Sequence, residues 1–437
     1  MKAVKRINSL CLAIDRIINY QVNEIIHNDN FQKLESSWRG MNLLVNLTRI
    51  RTDEIIKIKV LDASLMDISN DINKSNEFYQ TALFKYIYSN EYDQPGGEPF
   101  GLIIIDHEFK NEVSEGIDYI GIIRELSRIA ETSFSSIIIS ITAEFLGIDT
   151  FDQLKSFHDL DNLFEQSQYK RWNKLRKRPG SKFINAIIPK ILLRPPYQKS
   201  QFYYKNCFFE ESINNKKDLL WGNTGYIFTS LILNSFIKSS WFTYINKYDD
   251  KISKYIQRYN LRATETYLHE SSILNLDVSD HLEKQINRNG FMTLRSDKFS
   301  ESIGCSCFIS MHKIEKINHE SNILHLPLQN ILSISRFAHY IKVIMRDKIG
   351  SFSNVTECED YLKKWLLQHT AAQQNSSTNS SIHYPLEKSE IKISSQISNP
   401  TRYICSLKLK PRLMIESIQT ELKFNINAKF KSEIGRL

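Results

Sequence analysis

The chain has 437 residues and a mass of 51.2 kDa, with 41% hydrophobic and 24% charged residues. That length and balance give a sizeable core and about two or three domains, and they exclude wholesale disorder, collagen-like repeats and coiled-coil fibres. With only 14 Gly and 10 Pro, a loop-rich β protein is also a poor fit. The net charge of +8 is segregated: residues 166–209 carry eleven Lys or Arg and no acid, residues 321–437 carry an excess of +7, and the remainder sums to −10. Such asymmetry favours charged partners, whether nucleic acid, an anionic surface or another copy of the chain. The six cysteines, Cys11, Cys207, Cys305, Cys307, Cys358 and Cys405, form no CxxC pair. A disulfide framework is therefore not expected and a reducing compartment is.

The N-terminus is basic but is interrupted by Asp15 and Arg16, so it is not read as a signal peptide. Residues 7–27 repeat Leu10, Ile14, Ile17, Ile18, Val22, Ile25 and Ile26 at spacings of three and four, which predicts a helix. A second helix is expected over 30–47 after an Asn/Asp cap, a strand over 54–61 and a helix over 78–89. The turn Gly96-Gly97-Glu98-Pro99 feeds an apolar run, 100–106, that suits a strand covered on both faces. A helix over 116–131 and a β-branched run over 136–141 complete a strand–helix–strand alternation, and with it an α/β layer. The consecutive Pro195 and Pro196 end any helix in the basic segment. Helices are expected over 219–238, over 280–289 with Gly290 as its cap, and over 331–349. On the last, His339, Lys342 and Arg346 form a basic stripe read as surface. The window 225–237 is too short and polar to span a membrane. Residues 247–265 read as a polar surface excursion and 371–381 as a low-complexity linker. Three strand-like runs follow, 390–397, 402–409 and 417–427. The fold class is mixed α/β.

Catalytic patterns are missing. Gly96-Gly97 precedes its strand and no GK[ST] follows, so it is no phosphate loop. Cys305 and Cys307, with His269, His281, His312, His319 and His325, fit no zinc spacing. His107 between Asp106 and Glu108 is a candidate for acid–base chemistry with no supporting pattern. No GxSxG, HExxH or Cys/His arrangement appears. No catalytic residue, metal or cofactor is expected, and an enzyme is not. Trp172, Phe202, Tyr203 and Tyr204 in the basic segment could stack on bases. Without a helix-turn-helix, zinc-finger or RNP pattern, nucleic acid is the weaker reading.

Several phrases together resemble the large subunit of the type VI secretion contractile sheath. They are the run 30–40 with Trp38, Gly96-Gly97-Glu98-Pro99 leading to Asp106-His107-Glu108-Phe109, and the 188–197 run ending Leu192-Leu193-Arg194-Pro195-Pro196-Tyr197. Phe209-Glu210-Glu211, then Trp221-Gly222-Asn223, and finally Ser335-Arg336-Phe337-Ala338-His339-Tyr340 continuing to Phe352, complete the series in order. The resemblance implies a structural subunit that pairs with a small sheath subunit. Such heterodimers stack with copies of themselves around an inner tube in the bacterial cytoplasm, anchored on a baseplate. The sheath contracts in one stroke, and an AAA+ ATPase dismantles it. A non-polymerising or truncated paralogue with a capping role is the alternative. The resemblance divides the chain into a short N-terminal helix and linker (1–29), a main α/β body (30–320) and a C-terminal domain with a strand-rich tail (321–437). The arm that the family carries ahead of residue 7 is short here, which bears on intersubunit linkage and on the ATPase. Tail strands that augment a neighbour's sheet make Ile391, Ile393, Tyr403 and Leu407 interface candidates, and Arg336, His339, Lys342 and Arg346 would form a charged contact.

Overall fold

The β-branched runs at 102–109, 136–141 and 184–188 become adjacent strands of one parallel sheet. The computed structural model describes residues 2–49, 56–114, 116–157, 159–197, 203–204, 207–242, 245, 274–296, 303–305, 307–313, 327–347, 355–370, 384–396, 399–411 and 422–429. The readings for 247–265, 371–381, Phe202 and the 320/321 boundary fall outside these residues.

Two long helices lead: α1 (Lys2–Ile26) and α2 (Asp29–Thr48), the latter capped by the Asn28 side chain. A shorter helix, α3 (Leu65–Lys74), starts at a Ser64/Asp67 capping box. The sheet runs β1 (Leu102–Phe109), β2 (Ser136–Ile141), β3 (Ile184–Ile188) and β4 (Phe291–Thr293), in that spatial order and all parallel. Helix α4 (Tyr119–Ser133) crosses between β1 and β2, as parallel pairing requires. Short α5 (Lys170–Arg176) precedes β3, while α6 (Gly225–Ser239) and α7 (Asp280–Arg288) lie between β3 and β4.

Period-two alternation assigns the two faces of the sheet. Ile137, Ile139, Ile141, Ile184, Ala186 and Ile188 pack into one core with Ile123, Leu126 and Ala130 of α4. Ile138, Ile187 and Met292 face the other core, with Leu43 and Leu47 of α2 and Ile227, Phe228 and Leu231 of α6. The sheet is thus a middle layer between helices. Its edge strand β1 is only half buried, whereas β2 is buried throughout. The expectation that 100–106 is covered on both faces therefore fails, because β1 is the edge strand, and it is β2 that is covered on both.

The C-terminal part comprises α8 (Leu328–Asp347), α9 (Val355–Leu367) and an antiparallel sheet in the order β5 (Leu386–Gln396), β6 (Asn399–Pro411) and β7 (Leu422–Lys429). Phe337, Ala338 and Ile341 of α8 join the α4-side core, as do Leu362 of α9 and Leu407 of β6.

Two expectations fail locally. Residues 56–64 form no regular element and pair with no strand among the described residues. The 78–89 stretch is broken into a 3-10 turn, a helical turn and a π-helical segment, Lys85–Ser89. Close packing fixes Gly40: a Cβ there would lie 2.3 Å from the Tyr226 ring. Gly40→Ala should lower unfolding free energy by about 1–3 kcal/mol through overpacking of α2 on α6, despite alanine's better helix propensity. Urea titration by circular dichroism measures it, and an unchanged midpoint would show that Tyr226 yields freely.

Candidate functional site

The resemblance residues converge on two places, and the first is a buried ion-pair cluster that bolts α1 and α2 to the body. Arg194 follows a two-residue strand, Ile191–Leu192, that pairs with Trp221–Gly222. Its side chain is 3% exposed. Nε donates to Glu35 Oε1 of α2 at 2.8 Å, and Nη1 donates to Glu211 Oε2 at 2.5 Å. Glu211, with 0% side-chain exposure, also accepts from the Tyr197 backbone N–H at 2.8 Å and lies 3.2 Å from His27 Nε2 beyond the end of α1. Arg39 donates to Glu35 at 2.8 Å and to the Tyr197 hydroxyl at 2.9 Å, while the Arg194 guanidinium stacks 4.2 Å over the Tyr197 ring. Pro195 and Pro196 hold this loop extended. Asn23 of α1 ties on as well, donating to the Glu210 carbonyl and accepting from Ser212 N–H.

Burial alone would raise the Glu35 carboxyl. Hydrogen bonds and charge from Arg194, then Arg39, outweigh it and hold the group below the usual carboxylate range. For Arg194, burial works against the charge, and Glu211 and Glu35 hold it above its ordinary value.

Next to this cluster, a register shift in β1 after Ile105 takes Asp106 out of the ladder. Its carboxylate accepts from Ser37 of α2, from Asn223 Nδ2 at 3.1 Å and from Tyr226. Burial, then the nearby Asp106 charge, holds the Tyr226 phenol well above its ordinary value. Asn223 Oδ1 takes the Gly225 N–H at 2.7 Å at the start of α6. A Cβ on Gly222 would lie 2.1 Å from Leu193, which is why glycine stands there. Trp221 donates Nε1 to the Lys216 carbonyl at 2.7 Å. Trp38 joins none of this: it is 61% exposed on α2, in line with exposed Phe31 and Leu34.

The second place is the Gly96-Gly97-Glu98-Pro99 turn and the face of α8 set against it. Gly96 has φ +80°, and a Cβ on Gly97 would meet the Glu91 carbonyl at 2.3 Å, so both glycines are required by backbone geometry. Glu98 N–H donates to Glu91 Oε2 at 2.8 Å, and Glu98 pairs with Lys57.

Here the structure corrects the surface reading of the basic stripe. Arg346 Nη1 donates to the carbonyls of Glu91, Gln94 and Gly97, the second at 2.9 Å. Lys342 Nζ donates to the Thr132 carbonyl at 3.0 Å, and His339 Nε2 to the Ser133 carbonyl at 3.1 Å. Burial pushes the His339 imidazole down to about 4, so it is neutral. These three side chains are spent inside the chain. The positions i, i+3 and i+7 define a helix face, but sequence spacing does not say whether the face meets water. Arg336 lies over the rings of buried Trp241, half-buried Phe236 and exposed Tyr340.

Among the tail candidates, side chains also turn inward. Ile391 and Leu407 are buried and Ile393 partly so, because α8 and α9 cover that face of the sheet. Tyr403 lies in β6, with its side chain outside the described part. Trp172 is fully buried, stacked 5.1 Å from Phe291, and is not available to bases. Among the described residues no group of His, Cys, Asp or Glu could hold a metal, and no helix is long and apolar enough to cross a membrane. Sequence reasoning passed over Glu35, Asp106, Tyr88 and Tyr92 as working residues. The first two stood inside resemblance phrases, and the tyrosines carried an i, i+4 spacing.

What has been built is a scaffold of interlocked helices and sheets with its polar groups engaged in holding elements together. The profile described as VipB, the EvpB/VC_A0108 tail sheath N-terminal domain, matches residues 8–315, and VipB_2, the EvpB/VC_A0108 tail sheath gpW/gp25-like domain, matches residues 317–428. The chain belongs to this tail sheath family. The type VI secretion system sheath protein TssC1 of Pseudomonas aeruginosa is 28% identical over 431 residues, 96% of this chain and 85% of that protein. The likeness to type VI sheath large subunits read from the sequence thus holds along the chain. The sheath tail protein Lin1278 of Listeria innocua superposes over 72% of this chain and 60% of its own with a TM-score of 0.32 at 13% identity, too loose to carry an argument.

Removing Arg194 takes the shared guanidinium from Glu35 and from fully buried Glu211, leaving them only Arg39 and the Tyr197 N–H with His27. Arg194→Met should cost about 3–5 kcal/mol in urea unfolding. Glu35 has a depressed folded pKa, so its contribution is present above about pH 4.3, the unfolded value, and is lost as pH falls through the folded one. Glu35→Gln should flatten that acid limb in a pH series of unfolding midpoints. An unchanged limb would place the acid sensitivity elsewhere.

Proposed function

We propose that this chain pairs with a small sheath subunit, and that the heterodimers stack in the bacterial cytoplasm as a contractile sheath around an inner tube on a baseplate. Its role is mechanical rather than catalytic. Recycling by an AAA+ ATPase belongs to the same reading.

The observation that carries the pairing is α1. Ile7, Leu10, Ile14 and Ile17 are each more than half exposed and recur on alternating three- and four-residue steps, the seam spacing of a helix that packs along another helix. A helix of 25 residues draws most of its stability from a covered apolar face, and within this chain that face is open. The cluster of Arg194, Glu35, Glu211 and His27 fixes where α1 leaves the body. Residues 56–61 offer a second surface: Lys57 and Lys59 pair inward with Glu98 and Glu91, while Ile58, Val60 and Leu61 face out. Sheet augmentation by a neighbour needs such an edge, and β5 and β7 are edges as well.

Co-expression with the small subunit of the same locus should give long tubes by negative-stain microscopy. Ile7→Glu with Ile14→Glu should leave the unfolding midpoint of the isolated chain within about 0.5 kcal/mol yet abolish co-purification of the small subunit. Full co-purification would remove α1 from the interface, and soluble heterodimers without tubes would sink the reading of a working sheath subunit.

A further inference from the structure

The internal face of α8 is built around one ammonium group. Lys342 Nζ lies 4.7 Å from the Tyr88 ring centroid, 4.5 Å from that of Tyr92 and 4.8 Å from that of Phe134. Tyr88 and Tyr92 stack on each other at 4.7 Å. Uncommon backbone supplies two of these rings. Tyr88 sits in the π-helical segment Lys85–Ser89, and Phe134 closes α4 in the left-handed region at φ 52°. Single π turns inside helices are rare and recur at functional sites. The fourth wall is the Thr132 carbonyl, at the C-terminal end of α4, where unsatisfied carbonyls and the helix dipole attract a cation. Among the described residues no carboxylate lies within ion-pair distance of Lys342.

Lys342 belongs to the 317–428 match, and every wall of the cage belongs to the 8–315 match. We propose that Lys342 is a positioning residue whose ammonium charge, held by three aromatic faces and a helix-end carbonyl, locks α8 and with it the second matched segment onto the first. His339 and Arg346, bonded to carbonyls on either side, fix the helix against rotation about that point. Burial pushes the Lys342 amine down to about 7 and Asp93 pulls it up, while ring faces and a carbonyl acceptor favour the charged form. A lock of this kind would let the chain move as one body when neighbours pull on either segment. It stands whether or not the chain polymerises.

Hydrogen exchange followed by mass spectrometry on the full chain tests it. Lys342→Met keeps the length and removes the charge. It should speed exchange roughly tenfold in peptides covering 84–98, 128–136 and 328–347. Lys342→Arg should stay within about threefold of the parent. Lys364→Met, a control at an exposed position of α9, should change nothing in those peptides. In a Tyr88→Leu background, Lys342→Met should have a smaller effect than in the parent, since cage and charge act as a pair. Unchanged or slowed exchange in Lys342→Met, or an effect that is the same with and without Tyr88, would overturn the proposal. If Lys342→Met does not fold, Tyr88→Leu and Lys342→Arg decide: faster exchange in the first and near-parent rates in the second support the lock, and any other pair of results removes it.

Discussion

The buried guanidinium of Arg194 is the constraint on which the rest of the molecule depends. It is almost wholly removed from water between two carboxylates, one from α2 and one from the chain after the Pro195-Pro196 bend. Desolvating a charge costs several kcal/mol unless its geometry and hydrogen bonds compensate. Here they do so only when α2, the proline loop and the Glu211 segment are all in place. The cluster therefore sets the exit direction of α1, the element with the most unpartnered apolar surface.

The same solution recurs at α8 with a different acceptor. Lys342 finds three rings and a backbone carbonyl at the end of α4, and Arg346, besides its neighbour Asp347, finds the backbone carbonyls of the turn that Gly96 and Gly97 make possible. Both sites use basic side chains as internal fasteners. This recasts the basic excess: part of the positive charge in 166–209 and 321–437 holds elements of one chain together, and only the remainder is available for complementarity between copies.

Much of the architecture was legible from local pattern. The Ile run of β2, the 3.6-residue periodicity of α1, α2 and α8, and the cap at Gly290 each follow from local preference reinforced by burial, so sequence and structure agree there. Residues 56–61 show the opposite case. Their alternation is that of a strand, yet a strand exists only where a second backbone pairs with it, and none of the described residues does so. The 78–89 stretch reads as one helix but contains a π-helical turn, Lys85–Ser89, that carries Tyr88 against Lys342. That contact spans 254 residues of sequence.

The sequence by itself determined the fold class, the order of elements, the lack of a catalytic pattern and membership of the sheath family, because these rest on periodicity and on phrases in collinear order. Only the tertiary structure decided which charged side chains face inward. His339, Lys342 and Arg346 have the spacing of a surface stripe, and Ile391 and Leu407 that of a docking strand, yet the first three meet elements 206 to 252 residues away and the last two are covered by α8 and α9. A helix or strand pattern gives direction around its own axis. What stands opposite that direction is fixed by packing, and here that packing set an expected surface stripe against α4 and the Gly96-Gly97 turn.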